Sequence, residues 1–344
     1  MIKINKKLIF ATNKRPMIIA EISANHCGNK KLFLKLIEKA HYSGADAVKI
    51  QSYEPKDITL NSRSKKFKIK EGIWKGKYLW DIYKKTQTPF IWHRDAFKLA
   101  KRKKINLFST PFSLRAVDLL EKENVKLYKI ASLENDDELL IRKIAKTKKP
   151  IILSTGVTEI KKIKKTIKII NNYHNKLIVL HCVTEYPTTS KNANLKRILS
   201  LKKVFKNNLI GISDHTNDID TSLASVPLGV VAIEKHFKLD KTKSFDNEFS
   251  INPKKLNMLR TKSEIYFNAM GASQKQQVKN EFSNHKRSLF AKEEILKGKK
   301  ISLKNIISLR PVIGVRSSEI NKVLSKRAKI NIKKNAPIYF NDIY

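Results

Sequence analysis

The chain has 344 residues, 41% of them hydrophobic, and a formal charge of +42 at pH 7. Such a length supports one large domain or a large and a small one, while two cysteines are too few for a disulfide framework or a thiolate zinc site. No apolar run reaches the roughly 18 residues of a membrane span, and the opening MIKINKKLIFATNKRP is too weakly apolar for a secretory signal, so a soluble cytoplasmic protein is expected.

The charge brings nucleic acid to mind first. Only 12 of the 72 basic residues are arginine, however, and the lysines fall between apolar positions at helical spacing. In EIKKIKKTIKII (159–170), Ile160, Ile163, Ile167 and Ile170 share one face and lysines occupy the rest. Solvated lysine faces account for the charge, and no nucleic-acid or membrane partner is expected.

In chain order, apolar runs of strand length occupy 17–22, 46–51, 106–110, 126–131, 150–155, 177–182, 209–214 and 230–236. Amphipathic helical patterns lie at 30–43, 89–104, 114–123, 137–148, 159–174, 192–206 and 217–228, with another at 253–270. Strands that alternate with helices form parallel βαβ units, and eight nearly continuous apolar strands suit a closed barrel covered on both faces. The expectation is a (β/α)8 TIM barrel in a domain over 1–270; an open doubly wound sheet has no need for eight strands. The long segment 52–88 carries Trp74, Tyr78, Trp80 and Tyr83 and reads as an ordered insertion. A glutamine-rich linker is expected at 271–286 and a small β-rich domain at 287–344, built from a strand, a turn at Gly298 and a second strand.

Every strand of a parallel barrel points its C-terminal end at the same face, where active sites lie. The strand ends here carry Glu21, Lys49, Gln51, Thr110, Lys129, Ser132, Ser154, Ser213, His215, Glu234 and His236. Any one of these could be solvated or cap a helix; the set reads as a catalytic mouth. Lys49 and Lys129 with neighbouring hydroxyls suit a phosphate or carboxylate. His215 and His236, on adjacent strands, can converge on a cation, with Glu21, Glu134 and Glu234 offering hard oxygens; manganese, magnesium or cobalt fits such a set. His181 and Cys182 are neighbours on one strand and face opposite ways, so Cys182 reads as a buried structural thiol. Cys27 lacks a visible base and is given no role, and Rossmann and P-loop patterns are absent.

IIAEISANHCGN, GADAVKIQSYEP, FSTPFS, YKIAS, PIILSTG, GISDHT and IEKHF stand in the order found in sialic acid synthases, the nonulosonate family that condenses phosphoenolpyruvate with amino sugars. The C-terminal RSLFAKEEILKGKKIS…LRP…AKINIKKNAPI resembles that family's antifreeze-like (SAF) domain, so the likeness runs from about Met17 to the end. Within the family, FKIKEGIWKGKYLWDIYKKTQTPFIWH resembles the branch acting on 2,4-diacetamido-2,4,6-trideoxy-L-altrose more than the neuraminate or legionaminate branches. The resemblance implies a transferase with a divalent metal, manganese first, on His215 and His236. Lys49, Lys129, Ser132, Ser154 and Ser213 would hold phosphate and carboxylate, with Thr110 also at the substrate. Glu21, Gln51, Tyr186 and Asp246 would sit near the sugar or the attacking water, and Glu134 and Glu234 would serve the metal site or its water. Arg310 would reach a partner's barrel in a domain-swapped homodimer. The sequence departs from the family pattern at TKSFDNEFS, where Gly-Gly-Pro-Asp is usual, at Val312 after Pro311, where glycine is usual, and at Cys27.

Overall fold

Short β-branched runs flanked by amphipathic helices build the barrel, because each strand can bury both of its faces only inside a ring of helices. The computed structural model describes residues 1–70, 72, 74–240, 242–271 and 285–344, which fall into two units, Met1–Gly271 and Ala272–Tyr344. In the first unit a small antiparallel hairpin, β1 (Ile2–Lys3) and β2 (Ile9–Phe10), precedes the barrel. The barrel strands are β3 (Met17–Glu21), β4 (Ala47–Ser52), β5 (Leu107–Pro111), β6 (Tyr128–Ile130), β7 (Ile151–Ser154), β8 (Leu177–Cys182), β9 (Leu209–Asp214) and β10 (Ala232–Phe237). All neighbouring pairs are parallel, and β10 bonds both β9 and β3, which closes the ring. A two-residue strand, β11 (Ser250–Ile251), adds to the end of β10.

The helices are α1 (Lys30–Tyr42), α2 (Leu79–Thr86), α3 (Phe90–Lys103), α4 (Leu114–Lys122), α5 (Glu138–Lys146), α6 (Ile160–Asn171), α7 (Lys196–Val204), α8 (Asp220–Ser225) and α9 (Pro253–Met270). Side chains of Asn29, Ser113, Asp137 and Asn252 accept from backbone N–H groups in the first turns of α1, α4, α5 and α9. On α6, Ile163, Ile167 and Ile170 are buried while the five lysines are exposed, which puts the basic residues on the solvent face. The stretch expected as one helix at 217–228 is α8 followed by a 3-10 turn at Val226–Leu228, because Pro227 has no N–H to continue the helix. The hairpin and α2 were not expected; two-residue strands and an eight-residue helix are too short to show periodicity. No helix among the described residues is long and apolar enough to cross a membrane.

Side-chain alternation gives β9 and β10 two charged faces. Lys235 and Asp214 are register partners and form an ion pair at 3.0 Å, with Lys235 fully buried. Lys235 also donates to the Thr216 carbonyl at 2.5 Å and to its hydroxyl at 3.1 Å, while Asp214 accepts from the Thr216 N–H and the Ser222 hydroxyl. The acid in GISDHT is therefore a structural group on the face of β9 opposite Ser213, with His215 just past the strand's end, whereas Glu234 and His236, two apart, share a face of β10.

In the second unit, β12 (Ser288–Ala291) and β13 (Ile306–Leu309) pair antiparallel over a core that includes Leu289, Ile295, Ile301, Val323, Ala328 and Ile338. Gly298 has φ +80° in the turn between them, and Ile295 and Lys300 make single bridges to Ile332 and Arg327. Most of the expected linker at 271–286 lies outside the described residues.

Replacing Lys235 by alanine leaves Asp214 buried and uncompensated, and is expected to cost about 3–5 kcal/mol of stability. Pairing Lys235→Met with Asp214→Leu should recover most of that loss in urea denaturation; a double variant as unstable as the single one would contradict the ion-pair account.

Candidate active site

The polar side chains of the strand ends meet in a cavity of about 370 Å³ at the C-terminal mouth of the barrel. Lys49, Gln51, Lys129, Ser132, Glu134, Ser154, Tyr186, Ser213, His215, Glu234, His236 and Asp246 all line it. Glu21 and Thr110 are not part of the cavity surface. Both hold Lys49, whose ammonium is 2.5 Å from Glu21 Oε2 and donates to Thr110 Oγ1 at 3.1 Å. Arg310 lies in the second unit, exposed just beyond β13.

Three buried charges, Lys49, Lys129 and Glu234, form the floor, and a fourth, Glu21, lies behind Lys49. Glu21 and Lys49 are register partners on β3 and β4, and Glu234 on β10 lies 3.8 Å from both Lys49 and Lys129. Ser213, opposite Glu234 in the register, donates to it at 3.0 Å, and Lys129 donates to Ser154 Oγ at 2.7 Å. Burial opposes the charge of Glu234, but Lys129 and Lys49 overcome it and hold the carboxyl at about 2. Burial also acts on both lysines. In Lys49 the pull of Glu21 and Glu234 wins and its pKa rises; in Lys129 burial wins and its pKa falls. Lys129 is thus the less fully compensated cation, and an incoming anion would complete its pairing. Beside it Ser132 Oγ accepts from the Gly156 N–H at 2.9 Å. A Cβ at Gly156 would stand 2.1 Å from Thr184 Oγ1, so glycine is required for that approach.

The two histidines stand on the other side of the floor, ring centroids 5.4 Å apart. His215 Nδ1 is 2.8 Å from the Val183 carbonyl, which orients the ring. The β11 pairing places Ser250 beside His236 and brings Asp246 Oδ2 to 3.4 Å from His236 Nδ1, a buried nitrogen with no hydrogen-bond partner among the described residues. Asp246 also accepts from the Ala24 N–H at 3.2 Å. Ser23 sits at φ +43°, an uncommon conformation for a non-glycine residue, and is held by its N–H bond to Glu21 Oε1 and by Gln51. Among the described residues no cluster of three or more His, Cys, Asp or Glu side chains forms a ready-made metal cage. Two imidazoles beside orphaned oxygens such as Glu234 Oε2 instead fit an open site that solvent or substrate oxygens would complete.

Several cavity residues were given no site role in the sequence reading. Cys182 is buried as expected, yet it faces the cavity, while His181 turns outward to the Ala193 carbonyl at 2.7 Å. Phe249 packs on His236 and Tyr186, with centroids 4.8 and 5.1 Å away, and Thr184 contributes a buried hydroxyl without a partner among the described residues. From the insertion, Trp74 and Tyr83 line the cavity, but Tyr78 instead lies under Arg63 at 5.0 Å. Period-two alternation identifies Cys182; nothing in the local sequence identifies Phe249 or Trp74.

The model of the NeuB family matches residues 36–275, and that of the SAF domain matches residues 286–343. The chain belongs to the NeuB family. It is 38% identical over 328 residues to the pseudaminic acid synthase of Campylobacter jejuni subsp. jejuni serotype O:2, covering 94% of this chain and 95% of that protein. It is also 38% identical over 330 residues to the N,N'-diacetyllegionaminic acid synthase of the same organism, covering 94% and 98%. Among solved structures, the N-acetylneuraminic acid (sialic acid) synthetase of Leptospira borgpetersenii serovar Hardjo-bovis, in complex with citrate, matches with a TM-score of 0.70. It is 29% identical, over 78% of this chain and 90% of that one.

Burial raises the Glu134 carboxyl to about 7, with Lys129 pulling the other way. The folded protein therefore keeps this proton at pH values where the unfolded chain has lost it, and stability falls as pH rises from the ordinary carboxylate range through about 7. Glu134→Gln removes the penalty, on the order of 3 kcal/mol. The variant should resist urea better than the parent at pH 8 and match it near pH 4.5; an equal difference at both pH values would contradict the assignment.

Proposed function

We propose that this chain is a pseudaminic acid synthase, condensing phosphoenolpyruvate with 2,4-diacetamido-2,4,6-trideoxy-L-altrose and water to give pseudaminic acid and phosphate. The observation that carries the reading is one cavity that joins a lysine and hydroxyl floor to a histidine pair, in a chain 38% identical over 94% of its length to a pseudaminic acid synthase. An equal 38% identity to a legionaminate synthase supports the second reading, the same chemistry on the legionaminate precursor. N-acetylneuraminate synthesis is the further alternative, supported by the likeness to the Leptospira synthetase.

Lys49 and Lys129, with the hydroxyls of Ser132, Ser154 and Ser213, take the phosphate and carboxylate of phosphoenolpyruvate. Gln51, Tyr186 and Asp246 face the sugar. In the reaction C3 of phosphoenolpyruvate forms a bond to the sugar aldehyde carbon, water adds at C2, and the C2–O bond to phosphate breaks. Glu234, held ionised between two lysines, opposes the positive charge that develops at C2. Glu134, with its carboxyl near 7, is suited to carry a proton to or from the adding water. Glu21 holds Lys49 in place. His215 and His236 would hold a divalent cation, manganese first and magnesium or cobalt next, and when bound it would polarise the sugar aldehyde as a Lewis acid. Arg310 would act on the acceptor from a partner subunit, in a domain-swapped homodimer. On this reading the protein would work in the cytoplasm as a sugar-building transferase.

Phosphate release from phosphoenolpyruvate with manganese is expected to be much faster with the altrose-type sugar than with N-acetylmannosamine. Release with the legionaminate precursor alone would select the second reading. His215→Ala and His236→Ala should each lower turnover by more than about 10³-fold with the fold retained, since each removes half of the imidazole pair; full activity in either would refute the metal assignment. Co-expressing inactive Lys129→Ala and Arg310→Ala chains should restore about a quarter of parental activity if Arg310 acts across a two-fold dimer. No recovery would place Arg310 in its own subunit's site.

A further inference from the structure

One wall of the cavity takes no part in the chemistry above. Ile58, Ile69, Trp74, Leu79 and Tyr83 all come from the segment between β4 and α3, and they face the polar floor with apolar surface. The segment is braced to present them. The Ile69 N–H donates to the Lys77 carbonyl at 2.9 Å, and the Gly76 N–H donates to the Ile69 carbonyl at 2.8 Å. Lys68 and Tyr78 form an antiparallel bridge, and Arg63 covers the Tyr78 ring while it ion-pairs with Asp81 at the start of α2. Tyr53, just past β4, and Thr86, at the end of α2, share a hydroxyl hydrogen bond of 2.7 Å. Trp74 lies 6.4 Å from the Tyr186 ring, which itself lies 4.3 Å from His215. The wall thus begins beside the imidazole pair, where the reacting aldehyde would sit.

We infer that this wall selects the acceptor sugar, with Trp74 as a specificity-determining residue. It receives the apolar substituents of a deoxygenated, acetamido-bearing hexose and disfavours an acceptor that presents a hydroxyl in their place. The inference rests on the proposed condensation. Its physical basis is that a hydroxyl pressed on Ile58, Ile69, Leu79 or the face of the Trp74 ring loses water without gaining a hydrogen bond, while a methyl group gains contact. An apolar surface discriminates against an added hydroxyl by about 10²-fold at most, so the wall tunes choice among related sugars.

The test compares Trp74→Ala and Trp74→Phe with the parent, measuring kcat/KM for the altrose-type diacetamido sugar and for N-acetylmannosamine. Trp74→Ala should reduce the ratio of the two by about 10- to 100-fold, and Trp74→Phe by less than about tenfold, with KM for phosphoenolpyruvate within about twofold of the parent. Retained melting temperature separates this from unfolding. An unchanged ratio, equal losses with both sugars, or a parent that prefers N-acetylmannosamine would overturn the inference. A parent that prefers the precursor of N,N'-diacetyllegionaminic acid would overturn the choice of branch; the wall is then judged by the same ratio with that sugar. If no sugar turns over, the condensation fails as the function, and calorimetric affinities for the sugars in the parent and Trp74→Ala decide the wall by the same ratio.

Discussion

The mouth of this barrel depends on burying two lysines and two glutamates together. Glu21, Lys49, Lys129 and Glu234 are each at most 4% exposed, and any one of them alone would cost several kcal/mol to desolvate. As a set they are neutral, and the strand register holds them close, with Glu21 directly opposite Lys49. The pairing is uneven: Lys49 touches a carboxylate at 2.5 Å, while the shortest carboxylate distance for Lys129 is 3.8 Å. That imbalance leaves an electrostatic demand in a low-dielectric pocket, which a phosphate or carboxylate group can meet. An anion bound here would complete a network that folding left short by part of one partner.

Period-two geometry lets β9 and β10 do two jobs at once. Their inner faces carry Ser213, Glu234 and His236, with His215 just past the end of β9; their outer faces carry the Lys235–Asp214 pair that fixes the chain at Thr216. A shift of one residue in either strand would exchange the two sets and destroy both. The outer pair therefore supports the histidines through the backbone, without touching the cavity. The same alternation on β8 sends His181 to the Ala193 carbonyl and Cys182 to the cavity.

The floor and the wall divide recognition between strands and loops. Strand ends supply the charged groups of the floor, rigidly placed by the closed sheet. The segment after β4 supplies the apolar wall, and such a loop can change shape without disturbing the ring.

Eight apolar runs with helical patterns between them were enough to establish the barrel, because periodicity and burial on both faces are local properties of the chain. Polar residues at the ends of those runs also marked the mouth, since a parallel barrel brings every strand end to one rim. Which end residues face inward needed the alternation phase, and so Asp214 and Cys182 found their true sides only in the folded ring. Glu21 and Thr110 stand at strand ends like the rest, yet packing set them against Lys49 and off the cavity surface. Phe249, Trp74 and Tyr83 reach the cavity from a returning loop and from an insertion, whose paths depend on hydrogen bonds between residues distant in sequence. The sequence by itself determined the fold class, the family and the chemical character of the rim. Tertiary structure alone decided which charges pair and which apolar side chains line the cavity, because both depend on distances that no local pattern encodes.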